Sequence, residues 1–84
     1  MFLNRTKDGR NNIVGIKVAK LRKGLRISQR ELSDRLHGIG LDIDKNAVQR
    51  IESGERFVTD IEIIAIADTL GVSLDALLRR ENIL

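Results

Sequence analysis

Helix start signals recur at four places in this 84-residue chain, and they constrain its fold more than any other feature. Each signal is a small polar residue that can accept a hydrogen bond from the free N–H groups of a first helical turn. Two of them are completed by a glutamate three residues later, the capping-box spacing. The four are Ser28 (with Glu31), Asp44, Thr59 (with Glu62) and Ser73. Proline, which interrupts helices, is absent.

Apolar residues recur at helical spacing between these signals, and glycines follow most of the periodic stretches. We therefore predict an all-α fold, a compact bundle of about five short helices. The helices are expected from Ile13 to Gly24, over 28–37, over 44–53, over 60–70 and after Ser73. The stretch 60–70 is apolar on more than half of its circumference and is expected to be the central core element.

The ends of the chain lack this periodicity. Residues 1–12 are polar and contain Gly9, and they predict a flexible basic N-terminal arm. The folded domain is expected over 13–80, with 81–84 as a C-terminal tail.

Several classes of protein are excluded by what the composition lacks. There is no cysteine and only one histidine, so neither a disulfide framework nor a thiolate metal site is possible. No apolar run reaches about 18 residues, and no phosphate loop or nucleophile elbow is present. We expect a cytoplasmic protein that is not an enzyme and that uses no metal, cofactor or small-molecule ligand.

Charge is distributed unevenly along the chain. Residues 1–30 carry nine Lys or Arg against one Asp, whereas the other 54 residues carry six basic and eleven acidic side chains. Such asymmetry is typical of a surface that faces a polyanion. A solvated charged surface explains the charge equally well, so charge alone leaves both interpretations open.

The predicted helix 44–53 has two chemically different faces. Apolar side chains form one stripe, and the other face carries long or forked hydrogen-bonding groups, namely Lys45, Asn46, Gln49 and Arg50. A helix-turn-helix motif needs a second helix divided in this way, anchored on one side and presenting hydrogen-bonding groups to base edges on the other. Asn and Gln suit adenine, and Arg and Lys suit guanine.

These residues resemble the phage lambda repressor and Cro family, also known as the xenobiotic-response-element type of helix-turn-helix regulator. The resemblance extends over residues 13–78. It is carried by the Leu21-Arg22 pair, Ser28-Gln29 followed by Glu31-Leu32, VQRIESGER over 48–56, IAIA over 64–67 and LGVSLDALL over 70–78.

The resemblance implies a role for each matching residue. Gln29 would bond a DNA phosphate and brace the recognition helix 44–53, with Arg30 beside it. Arg56 would hold the DNA backbone, and Arg22 with Glu52 would form a structural pair. The base-reading side chains would be Lys45, Asn46 and Gln49, with Arg50 reaching either a base or a phosphate.

One segment departs from the family pattern. The turn between the second and third helices is usually about three or four residues, whereas 37–43 predicts a turn of seven. Within it we expect Leu41 and Ile43 to cover the core and His37 to face solvent.

The resemblance also implies a partner and leaves an alternative. Double-stranded DNA with a two-fold symmetric operator, bound by a homodimer of a transcriptional repressor, is the first expectation. The last helix and tail offer Leu74, Leu78, Ile83 and Leu84 either for a dimer contact or to close the monomer core. An antitoxin or protein-interaction module on the same scaffold is the alternative function.

Overall fold

Five α-helices make up most of the chain that the computed structural model describes, which is residues 5–79. They are α1 (Gly15–Gly24), α2 (Gln29–Gly38), α3 (Lys45–Ser53), α4 (Asp60–Leu70) and α5 (Leu74–Leu78). The predicted all-α fold of about five short helices is confirmed, and residues 5–79 include no strand. The start of the predicted arm (1–4), Arg80 and the predicted tail (81–84), with Ile83 and Leu84, lie outside the described residues.

The predicted start signals of α2 to α5 all form. The Ser28 hydroxyl accepts from the Glu31 N–H at 3.0 Å while the Glu31 carboxylate accepts from the Ser28 N–H at 3.0 Å. Thr59 repeats this capping box for α4. Asp44 and Ser73 accept from backbone N–H groups three residues ahead, which starts α3 and α5.

Helix α1 begins differently from the prediction. It starts at Gly15 rather than Ile13, and no side chain caps it from the N-cap position. Asn12 instead accepts from the Gly15 N–H at 2.8 Å. Ile13 and Val14 still pack into the core from outside the helix, so their apolar spacing extended the predicted helix too far.

The core lies where the five helices meet. Its fully buried side chains come from every helix and from the α2–α3 turn, and the largest are Leu32, Leu36, Ile43, Ile51, Ile66 and Leu77. Helix α4 buries Ile66, Ala67 and Leu70, whereas Ile61 is 71% and Ile64 is 51% exposed. Helix α4 packs against α1, α2 and α5, as expected of a central element, but part of its wide apolar surface faces solvent, because apolar composition does not show which faces have neighbours.

The turn between α2 and α3 covers residues 39–44 rather than 37–43, because α2 continues through His37 and Gly38. As expected, Ile43 is buried, Leu41 packs against the core, and the His37 side chain is exposed. The Ser33 hydroxyl donates to the Ile43 carbonyl at 2.9 Å. This buried hydrogen bond fixes the turn immediately before α3.

Residues 6–12, predicted as part of a flexible arm, are folded. The Thr6 N–H donates to the Arg10 carbonyl at 2.9 Å, and the Gly9 N–H donates to the Thr6 carbonyl at 3.0 Å, which closes a turn. Gly9 has a φ of +84° there, a conformation that favours glycine. Residues 10–12 then contact the C-terminal end of α3, so the prediction of a free arm to residue 12 is corrected.

None of the helices within residues 5–79 has the length and apolar character needed to cross a bilayer.

Candidate nucleic-acid interface

Helix α3 presents one polar face to solvent. Ala47, Val48 and Ile51 are buried, so the helix is fixed to the core along that stripe. The opposite face exposes the four predicted side chains Lys45, Asn46, Gln49 and Arg50. Within residues 5–79, none of these four side chains makes a hydrogen bond to the protein. Their donors and acceptors are therefore available to an external partner.

The last turn of α3 is tied to α1 by an ion pair. Glu52 accepts from Arg22 in a two-pronged geometry, Nε to Oε2 at 2.7 Å and Nη2 to Oε1 at 3.1 Å. The two side chains are only 10% and 9% exposed. The hydrogen bond with Glu52 raises the pKa of Arg22 above its ordinary value, although burial opposes the shift. Arg22 Nη1 also donates to the Ile27 carbonyl at 2.8 Å, so the whole guanidinium is held.

Gln29 joins the same cluster from the first turn of α2. Its Nε2 donates to Glu52 Oε1 at 2.9 Å, and the side chain is half-buried. Arg30, the next residue, is exposed. The structure thus brings Arg22, Gln29 and Glu52 together and leaves Arg30 facing solvent at the N-terminal end of α2.

Arg56 has a partner that the sequence did not predict. Its Nη1 and Nη2 donate to the two carboxylate oxygens of Glu62 at 2.9 and 3.1 Å. This hydrogen-bonded pairing raises the pKa of Arg56 and lowers the pKa of Glu62. Glu62 also accepts from the Thr59 N–H at 3.0 Å, so Arg56 fastens the α3–α4 turn to the start of α4. A separation of six residues matches no helical spacing, and no local signal announces the pair.

A helix-turn-helix family model matches residues 18–77, most of the chain. The chain belongs to this family. The family is the lambda-repressor-like, xenobiotic-response-element type, which consists of DNA-binding regulators. No curated protein and no solved structure matches the chain.

The matched residues include all of α2 and α3, and double-stranded DNA is the partner class of the family. The six-residue turn 39–44 is longer than the usual three or four residues. Buried Ile43 and its hydrogen bond from Ser33 nevertheless keep the start of α3 attached to α2.

The family match begins at residue 18, inside α1. Residues 5–17 therefore precede the helix-turn-helix region, although residues 10–12 contact the end of α3. These contacts could not be predicted from the sequence, because polar residues without periodicity give no signal for a partner some forty positions away.

Proposed function

We propose that this helix-turn-helix protein is a sequence-specific transcriptional regulator, a repressor, which inserts α3 into the DNA major groove as its recognition helix. One observation carries the proposal. Helix α3 is fixed to the core by its apolar stripe and by Glu52, while its opposite face carries four polar side chains that have no partner within the described protein.

The side chains on that face suit the edges of bases. Asn46 and Gln49 each have an amide that can bond the N6 and N7 groups of adenine in a two-pronged geometry, and Lys45 can donate to the O6 and N7 of guanine. Arg50 has the reach and the donors for guanine or for a phosphate. The N-terminal residues of a recognition helix lie deepest in the groove, so we assign the main sequence preference to Lys45, Asn46 and Gln49.

Phosphate contacts are assigned to the start of α2. Backbone N–H groups at a helix N-terminus attract anions, and Gln29 and Arg30 lie in the first turn of α2. Gln29 can bond a phosphate while its amide nitrogen stays on Glu52, since its Nε2 has a second hydrogen. Arg56 is assigned a supporting role instead, because its terminal nitrogens hold Glu62.

A homodimer on a two-fold symmetric operator completes the proposal. Leu77 closes the monomer core and is fully buried, whereas Leu74 is 44% and Leu78 is 37% exposed on the same short helix. Two copies of α5 could therefore pack their exposed leucines together, and helix-turn-helix dimers bind two half-sites that lie one DNA turn apart. Repression would follow from occupancy of a promoter, which requires no surface beyond those already described.

The alternative function is a protein-interaction module, such as an antitoxin, on the same scaffold. The exposed Ile61 and Ile64 of α4 support it, because apolar side chains on one face of a helix suit a protein partner. This alternative and DNA binding make different predictions for α3, since a partner bound at α4 would not depend on Asn46 or Gln49.

Selection of duplexes from a random pool, followed by sequencing, tests the proposal. The parent protein should enrich a two-fold symmetric site. Lys45→Ala, Asn46→Ala and Gln49→Ala should each relax the preference at one position per half-site by about 1 to 3 kcal/mol. Asp68→Ala is the control, because Asp68 is exposed on α4, outside α3 and the proposed dimer contact, and its side chain makes no hydrogen bond within residues 5–79.

The possible outcomes separate the two functions. A defined site that blurs in the α3 variants and persists in Asp68→Ala supports the proposed regulator. Weak, salt-sensitive binding with no enriched site would contradict it and favour the protein-interaction module, for which a pull-down would be the next experiment.

A further inference from the structure

Residues 10–12 donate hydrogen bonds to the backbone carbonyls at the C-terminal end of α3. The last carbonyls of a helix have no partner inside the helix, and here five carbonyls in and just after that end accept from three consecutive residues. Arg10 Nη2 donates to the Glu52 carbonyl at 2.8 Å. The Asn11 N–H donates to the Gly54 carbonyl at 2.7 Å, and its Nδ2 donates to the Glu55 carbonyl at 2.9 Å.

Asn12 makes the remaining bonds. Its Nδ2 donates to the carbonyls of Ile51 at 3.0 Å and Arg56 at 2.8 Å, on either side of the helix end. Its Oδ1 accepts from the Gly15 N–H at 2.8 Å and so starts α1. One amide side chain therefore links the beginning of α1 to the end of α3.

Two buried glycines make room for this segment. A Cβ atom at Gly15 would lie 2.0 Å from the Ile51 carbonyl oxygen and 2.5 Å from Arg10 Nη2. A Cβ atom at Gly54 would lie 2.8 Å from Arg10 Cζ, and Gly54 has a φ of +89°. The side chain of Arg10 thus fits directly against the backbone at Gly15 and Gly54, and a side chain at either position would displace it.

Glu52 is where this segment meets the helix-turn-helix unit. Its carbonyl accepts from Arg10, and its carboxylate accepts from Arg22 of α1 and Gln29 of α2. Three separate parts of the chain therefore hold the last turn of α3. The other end of α3 is held by the Asp44 cap and by the bond from Ser33 to Ile43.

We propose that Arg10 and Asn12 are positioning residues for DNA recognition: they set the direction in which α3 projects and hence the register of its base contacts. The inference rests on the proposed function of α3. Its physical basis is that base readout needs side chains held to within a fraction of an ångström, and a short helix fixed at both ends meets that requirement better than one fixed at its start alone.

The test compares Arg10→Ala with Lys7→Ala, which removes the same charge from the same turn. Lys7 is exposed, and its side chain makes no hydrogen bond within residues 5–79. Two measurements are made on each variant. The first is amide hydrogen exchange at Gly54 and Glu55 in the DNA-free protein. The second is the ratio of the affinity for the selected site to the affinity for a scrambled duplex.

We expect Arg10→Ala to accelerate exchange at Gly54 and Glu55 and to lower the affinity ratio at least about fivefold, the equivalent of one misplaced base contact. Lys7→Ala should weaken binding to both duplexes by the same factor and leave exchange unchanged. Arg10→Lys keeps the charge and one donor nitrogen, so its exchange rate and its affinity ratio should lie between those of the parent and Arg10→Ala. It replaces Arg10→Ala if that variant does not fold.

The two measurements distinguish a failure of the proposed function from a failure of the positioning role. If the parent enriches no site, the proposed function is wrong, and the inference about recognition falls with it, while exchange still reports whether residues 10–12 hold α3. If the parent selects a site but Arg10→Ala keeps the parental ratio, the positioning role is overturned and the proposed function stands. An equal fall of the affinity ratio in Arg10→Ala and Lys7→Ala would also overturn the positioning role, because loss of charge alone would then explain the effect of both variants.

Discussion

At the scale of single residues, Arg26 has the least favourable backbone conformation in the described chain. Its φ is +61°, and within residues 5–79 no other non-glycine residue has a positive φ. Helices α3 and α4 end at Gly54 and Gly71, which adopt the same left-handed conformation without a Cβ atom. The connection after α1 makes a similar reversal with an arginine, and an L-residue there costs about 1 to 2 kcal/mol.

Replacing Arg26 by glycine should therefore stabilise the protein. The relief of about 1 to 2 kcal/mol is partly offset by the extra freedom of glycine in the unfolded chain, about 0.5 to 1 kcal/mol. We expect Arg26→Gly to raise the free energy of unfolding by roughly 0.5 to 1 kcal/mol, measured by urea denaturation without DNA. Lys20→Gly, an exposed position inside α1, should lower it by about 1 kcal/mol. A loss of stability in both variants would contradict the strain at Arg26.

At the scale of helices and turns, what could be predicted depended on distance along the chain. The caps at Ser28, Asp44, Thr59 and Ser73 depend on residues three positions apart, so the sequence contains the whole signal. The polar face of α3 was predictable for the same reason, because its period is that of the helix.

Contacts between distant segments were not predictable in this way. The bonds from residues 10–12 to the end of α3 and the pair of Arg56 with Glu62 follow no periodic pattern, and they form because folding brings unpaired groups together. The Arg22–Glu52 pair is a partial exception. Resemblance to a known family implied it, whereas the spacing of thirty residues gives no independent physical signal.

The start of α4 gives a prediction about pH. The hydrogen bond from Arg56 lowers the pKa of Glu62 below its ordinary value of 4.5. The folded state therefore binds this proton less readily than the unfolded state, so the stabilisation is complete above pH 4.5 and is lost as the pH falls through the lower, folded pKa.

We expect Glu62→Gln to lower the free energy of unfolding at pH 7 by about 1.5 to 3 kcal/mol, the range for hydrogen bonds to a charged group. Below pH 4.5, its stability should fall less steeply with acid than that of the parent. Glu31→Gln is the matched control, because Glu31 completes the capping box of α2 and has no arginine partner among the described residues. Parallel acid curves for the parent and Glu62→Gln would show that the pair does not supply this pH dependence.

At the scale of the whole molecule, charge and structure divide the chain in the same way. The segment 20–30, from α1 to the start of α2, contains no Asp or Glu and exposes four basic side chains, namely Lys20, Lys23, Arg26 and Arg30. The segment 60–78, which includes α4 and α5, contains no Lys or Arg and exposes three aspartates, namely Asp60, Asp68 and Asp75. The basic part includes the end of α2 to which we assign phosphate contacts, so the field of the protein should orient it on DNA before α3 reads any base.

Binding should therefore depend strongly on salt, and the basic part should contribute most of the dependence. Each phosphate contact contributes about −0.9 to the slope of log K against log salt. With four such contacts, raising the salt from roughly 50 to 200 mM would weaken binding on the order of 100-fold.

We expect the double variant Lys20→Ala with Lys23→Ala to make the slope shallower by about 1 to 2, equally for the selected site and a scrambled duplex. Arg79→Ala, which removes a positive charge from the acidic part, should leave the slope unchanged. A slope near zero in the parent would show that phosphate attraction does not drive binding, and an equal change in Arg79→Ala would show that net charge, not its placement, sets the salt dependence.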